Sequence, residues 1–140
     1  MALALAFVAV GLVHLKSPDG FLPIMPSWVP APRLVIIATG WCELFGAAGL
    51  LLSSSRLRWW AGTLLALYTA CVYPANIKHA VDHVAVADVT LGWSYHVPRL
   101  LAQPVIAWWA LWAGGVIDWP WRRPAIPPGA SRASPRHERG

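Results

Sequence analysis

Six residues join a chemically capable side chain to an apolar setting: His14, Glu43, Asn76, His79, Arg99 and Gln103. Glu43 lies near the centre of the apolar run 34–52, where a bare carboxylate is costly. Its neighbours at helical spacing are Thr39, Gly40, Gly46 and Ala47, small residues that let a second helix approach closely. The carboxyl is therefore expected to face a helical interior, where desolvation favours the neutral acid unless a cation compensates. His14 closes the first apolar run, Asn76 and His79 stand near the end of the third, and Arg99 and Gln103 open the fourth, one turn apart on one face. Donors at one depth, with a protonatable carboxyl below them nearer the midplane, suit a ligand site that binds by hydrogen bonds and exchanges a proton. Each also has a plainer reading. His14 is an interfacial histidine, Asn76 satisfies carbonyls freed by Pro74, Arg99 snorkels, and Glu43 ties helices together.

Two further patterns carry less. His79, Asp82 and His83 form H-x-x-D-H, whose histidines at i and i+4 could meet on one metal ion. A polar helix end in which Lys78 pairs with Asp82 explains the same letters, so no metal is assigned and the two histidines stand as the lesser alternative. Cys42 and Cys71 fall inside apolar runs at comparable depths, without C-x-x-C or zinc spacing. A disulfide or thiol relay between them is conceivable, but thiols in apolar surroundings are usually inert, and small apolar packing is the better reading.

The elements that must position these groups are apolar helices. Charged residues make up 12% of the chain and apolar ones 57%, too little charge to cover a soluble domain of 140 residues. Ten tryptophans fit membrane interfaces better than a soluble surface. Apolar segments run over about 2–15, 34–52, 59–77 and 100–117; the last three meet the ~20 residues a bilayer core requires, and the first is short. That first segment has neither the basic n-region nor the cleavage site of a signal peptide, so it reads as a helix starting at Met1 or upstream of it. Pro23, Pro26, Pro30 and Pro32 predict a structured non-helical connection, Ser53–Arg56 a short turn, and 82–98 a longer loop. Residues 118–140, rich in proline, arginine and serine, are expected to be disordered.

The predicted fold is thus an all-α integral membrane domain over 1–117, a four-helix transmembrane bundle in the cell membrane. Arg56, Arg58, Arg122, Arg123, Arg132, Arg136 and Arg139 share one side, and only Lys16, Arg33, Lys78 and Arg99 the other, which places both termini in the cytoplasm. The formal charge of +5 does not point to nucleic acid, because no basic patch is interleaved with stacking aromatics. The lipid bilayer is the partner that this composition implies.

Taken in series, the motifs resemble the DoxX family of small membrane proteins, with its DoxD-like and MauE-like relatives. The matching pieces are Gly11-Leu12-Val13-His14, Phe21-Leu22-Pro23-Ile24-Met25-Pro26-Ser27-Trp28-Val29-Pro30, Gly40-Trp41-Cys42-Glu43, Tyr73-Pro74-Ala75-Asn76-Ile77 and Pro98-Arg99-Leu100-Leu101-Ala102-Gln103. The resemblance implies a four-helix membrane bundle and an association with quinol-oxidase, thiosulfate–quinone or thiol-redox complexes. Its implied role is an accessory subunit that receives electrons from redox partner proteins. A quinone headgroup would then take hydrogen bonds from His14, Asn76, Arg99 and Gln103 and exchange a proton with Glu43. The alternative is a non-catalytic scaffold or assembly factor that docks partners through its proline-rich loop.

Overall fold

The computed structural model describes residues 1–82, 85 and 91–119, and among them every regular element is helical. Four long helices are α1 (Ala2–Lys16), α2 (Pro32–Leu51), α3 (Ser55–Val81) and α4 (Trp93–Gly114), and a short 3₁₀ turn, Pro18–Ile24, follows α1. Pro32 opens α2 at the position where a missing N–H costs nothing. Before it, Ala31 takes a left-handed conformation with φ 47°, outside the right-handed helical region that a following proline disfavours. Ser54 caps α3 through its hydroxyl, which accepts from the Leu57 N–H. Gly115, at φ 72°, ends α4 in the left-handed turn that glycine tolerates best.

Three expectations about the elements need correction. The proline-rich connection is not wholly non-helical, because Pro18–Ile24 winds into a 3₁₀ turn. Helix α3 starts at Ser55 and runs to Val81, outlasting the predicted 59–77 at both ends. Helix α4 begins at Trp93 instead of 100 and passes through Pro98 and Pro104. The proline rule fails there because other contacts hold the first turns: locally the His96 Nε2–H donates to the Leu91 carbonyl at 2.9 Å, and Arg99 binds His79 of α3. His83, the five tail arginines and the tail from 120 onward lie outside the described residues.

The helices form two antiparallel pairs. α1 packs on α2, α3 packs on α4, and the pairs join through α2 and α3. The apolar core gathers toward one end, from Leu3, Ala4 and Phe7 of α1, Ala47 and Leu50 of α2, Ala61, Leu65 and Ala66 of α3, and Ala110 of α4. The buried polar residues Glu43, Thr69, Asn76, His79, His96 and Gln103 occupy the opposite end. The bundle is therefore divided along its axis into an apolar half and a polar half.

The expectation that three segments each suffice to cross a bilayer is also corrected. Among the described residues only α2 does by length and apolarity, and α1 with the 3₁₀ turn would count only as one span broken by 94°. α1, at 15 residues, reaches about 22 Å at the usual helical rise, short of a ~30 Å hydrocarbon core. α3 carries Thr69, Asn76 and His79, and α4 carries His96 and Gln103, buried polar residues that dilute the apolarity of both helices.

Close approach of backbones sets both pairs. A Cβ on Gly11 would lie 2.9 Å from the Gly40 carbonyl, so α1 and α2 touch there with no side chain between them. Gly62 and Gly114 do the same for α3 and α4: a Cβ on Gly62 would stand 2.5 Å from the Ala110 carbonyl and 2.8 Å from the Gly114 Cα. Gly62→Val must push α4 away from α3 and is expected to cost ~1–3 kcal/mol. Thermal unfolding followed by circular dichroism measures it, with Gly20→Ala as a control whose added methyl meets nothing within 4 Å. An unchanged midpoint for Gly62→Val would show that the two helices do not touch at this point.

Candidate functional site

The site begins at the Gly11–Gly40 contact. Each glycine is followed three residues later by a polar side chain, His14 and Glu43, so the crossing brings those two together. His14 Nδ1 lies 2.8 Å from Glu43 Oε2. From α3, the Tyr68 hydroxyl donates to Glu43 Oε1 at 2.7 Å. Glu43 is only 3% exposed, and both its oxygens are engaged by neighbouring helices. His14 supplies a hydrogen-bond partner of the kind that a buried carboxyl requires. The Phe21 ring, from the 3₁₀ turn, tilts against His14 with centroids 4.4 Å apart and closes that side.

A second set of contacts joins α3 to α4. The Asn76 side-chain amide donates to Gln103 Oε1, and Gln103 Nε2 donates to the Thr69 carbonyl at 3.1 Å. The Thr69 hydroxyl turns back to the Leu65 carbonyl at 2.8 Å. Nearer the helix ends, an Arg99 guanidinium N–H lies 2.9 Å from His79 Nδ1. Arginine has no acceptor, so this His79 nitrogen carries its lone pair, and the ring is neutral with its proton on Nε2. The His96 ring stands edge-on to His79 with centroids 4.7 Å apart, and the Arg99 guanidinium lies 5.7 Å from the Tyr95 ring centroid.

The six residues singled out in the sequence thus form three contacts: His14 with Glu43, Asn76 with Gln103, and His79 with Arg99. The first couples α1 to α2 and the other two couple α3 to α4. Asn76 spends its amide across the helix interface. Lys78 stays 3.9 Å from Asp82 and also donates to the Pro23 carbonyl at 2.9 Å, which ties the 3₁₀ turn to α3. Among the described residues no three histidine, cysteine or acidic side chains gather as metal ligands. Cys42 and Cys71 are free and both face outward, which corrects the reading of them as interior packing.

Tyr68 and His96 were not read from the sequence. A tyrosine inside an apolar helix needs a hydrogen-bond partner, and that requirement was the available signal for Tyr68. His96 was hidden by its placement in a loop ahead of Pro98. Two cavities are described in the bundle, neither lined by His14 or Glu43. One, of ≈ 420 Å³, opens at the apolar end beside Met1, Arg58 and Asp118. The other, of ≈ 460 Å³, is a groove between α3 and α4, lined by Thr69, Tyr73, Gln103, Ala107 and Trp108 among others.

Fold and site together define a small all-α protein whose four helices are cross-linked by side-chain hydrogen bonds in one half of the bundle. The chain belongs to the family described as Domain of unknown function (DUF8561), whose model matches residues 3–114. This assignment overturns the DoxX resemblance, for no DoxX match is found. The geometry explains the misreading. Gly-x-x-His on α1 and Gly-x-x-Glu on α2 are what any tight crossing of two helices around a buried polar pair requires. Short motifs of that kind report packing more than ancestry. No curated protein matches the chain, and no solved structure does.

His14→Ala and Tyr68→Phe each remove one partner from the same buried carboxyl. Each is expected to cost about 1–3 kcal/mol, and the double variant to depart from additivity by more than ~0.5 kcal/mol. Denaturant unfolding of the four proteins in the cycle measures this. Strict additivity would mean that the two residues do not share Glu43.

Proposed function

We propose that the protein is a multi-pass membrane protein, its four long helices crossing the bilayer as two hairpins, and that it acts as a non-catalytic membrane scaffold or assembly component. The observation that carries the membrane reading is inverted polarity. Large apolar side chains are exposed on every long helix: Leu5 is 65% exposed on α1, Phe45 69% on α2, Leu67 59% on α3 and Leu101 66% on α4. A water-facing surface of that kind would aggregate, whereas hydrocarbon solvates it. The interior meanwhile holds a carboxyl, two amides and two histidines. Intramembrane polar groups face the bundle interior and pair with one another, which is the arrangement here. α1 falls short of the hydrocarbon thickness alone, and tilt of its neighbours or local thinning of the bilayer would accommodate it.

The scaffold reading is supported by how the polar groups are spent. Both oxygens of Glu43 and both polar atoms of the Gln103 amide are engaged by other residues of the bundle. Groups so occupied stabilise a helical assembly but are not poised to receive a substrate. The exposed part of the proline-rich connection, with Trp28 at the surface, offers a docking face. The quinone-binding redox subunit stands second: its family support is withdrawn, and what remains is the protonatable Glu43. Quinone recovered in stoichiometric amount from organic extract of the wild-type protein, and depleted in Glu43→Gln, would move that reading to first place.

Membrane-impermeant maleimide on sealed vesicles tests the topology. Ser54→Cys, in the α2–α3 turn beside Arg56 and Arg58, is expected to label only from the cytoplasmic face. Ser27→Cys is expected to label only from the opposite face. The native thiols Cys42 and Cys71 are expected to stay unlabelled although both are exposed on the protein surface, because lipid covers them. Labelling of both introduced cysteines from one face, or fast reaction of the native pair, would overturn the reading.

A further inference from the structure

We propose that the cleft between α3 and α4 binds an anionic phospholipid, its phosphate on Arg99 and one acyl chain in the groove beneath. The proposal rests on the membrane reading above. Arg99 is partly buried, and it donates a hydrogen bond to the His79 ring. Among the described residues the contacts between acidic and basic side chains join His14 with Glu43, Arg33 with Asp19 and Lys78 with Asp82, so none gives Arg99 a carboxylate. A guanidinium has five N–H donors in a planar fork that matches phosphate. Held at a membrane-facing site with no counter-charge among the described residues, it calls for an anion.

The groove says which anion. Gln103 lies one helical turn from Arg99 on the same face of α4, and it lines the ≈ 460 Å³ groove that continues along Tyr73, Pro104, Ala107 and Trp108. The Gln103 amide is already spent on Asn76 and the Thr69 carbonyl, which leaves the groove wall effectively apolar. A cation one helical turn beyond Gln103 and an apolar channel lined from Gln103 onward match a phosphate headgroup carrying an acyl chain. Free phosphate would use only the first of these features. Exposed Trp93 and Tyr95 stand in the opening turn of α4, where amphipathic rings mark the headgroup level.

The experiment uses the full chain in mild detergent, titrated with dioleoylphosphatidylglycerol or dioleoylphosphatidylcholine and read by native mass spectrometry. The expected result is an approximately tenfold preference for the anionic lipid, the size of a charge-assisted contact. Arg99→Gln is expected to abolish that preference and Arg99→Lys to keep part of it. Ala70→Trp fills the groove from an exposed helix position and is expected to weaken both lipids. Equal binding of the two lipids by the wild-type protein overturns the proposal. So does a preference undiminished in Arg99→Gln, which would assign it to other basic residues. If Arg99→Gln loses its helical circular dichroism, Ala70→Trp decides. Unchanged lipid binding in that variant, with millimolar inorganic phosphate displacing the anionic lipid, makes the site one for phosphate and overturns the lipid. Release of the chain from membranes by alkaline carbonate would remove the membrane reading itself. A chain that stays in the membrane but does not distinguish the lipids removes only this proposal.

Discussion

A carboxyl withdrawn from solvent must be held by its neighbours, and Glu43 is held from two other helices. His14 reaches one oxygen from α1 and Tyr68 reaches the other from α3. Leaving such a group unpartnered costs several kcal/mol, more than most single packing contacts return. The relative placement of α1, α2 and α3 is therefore constrained by one side chain. The Gly11–Gly40 contact is the geometric condition for it, because any larger residue at either position would separate His14 from Glu43. The fourth helix is fixed independently, by the Gly62–Gly114 contact at one end and by the Asn76–Gln103 and His79–Arg99 contacts at the other.

The division of the bundle into an apolar and a polar half follows from these constraints. Backbones in glycine contact leave room only for small or slender side chains, and alanine and leucine fill the apolar half. In the polar half the helices are joined by directional bonds, which fix rotation and register in a way that apolar packing does not. Where the surroundings of a bundle are as apolar as its core, hydrophobic burial gives little drive for helices to associate, and close packing and interhelical hydrogen bonds take its place. The proposed membrane setting and the observed distribution of polar contacts thus have one physical origin.

The same reasoning shows why short motifs misled the family assignment. Gly11 with His14 and Gly40 with Glu43 report a crossing of two helices, and Arg99 with Gln103 reports one polar face of a third. Many unrelated small bundles need such pairs. A match to a model over residues 3–114 weighs the whole pattern at once and places the chain elsewhere.

The sequence by itself determined that the chain is helical, roughly where the helices run, and that a few polar side chains in apolar runs must turn inward. Those conclusions follow from local propensity, breaker residues and the cost of burying a polar group. Glu43, Asn76 and Gln103 were legible because each is out of place in an apolar run. Only the tertiary structure decided the pairings: that His14 belongs to Glu43, Asn76 to Gln103 and Arg99 to His79, and that Tyr68 and His96 join them. Pairing depends on crossing angle and register between segments distant in the chain, and single-helix periodicity carries neither. It also decided that α4 runs through Pro98, because contacts with α3 and a histidine bond to the Leu91 carbonyl outweigh a local preference. Likewise, the outward aspect of Cys42 and Cys71 depends on which face of each helix its partner covers, and that is settled only when the helices pack.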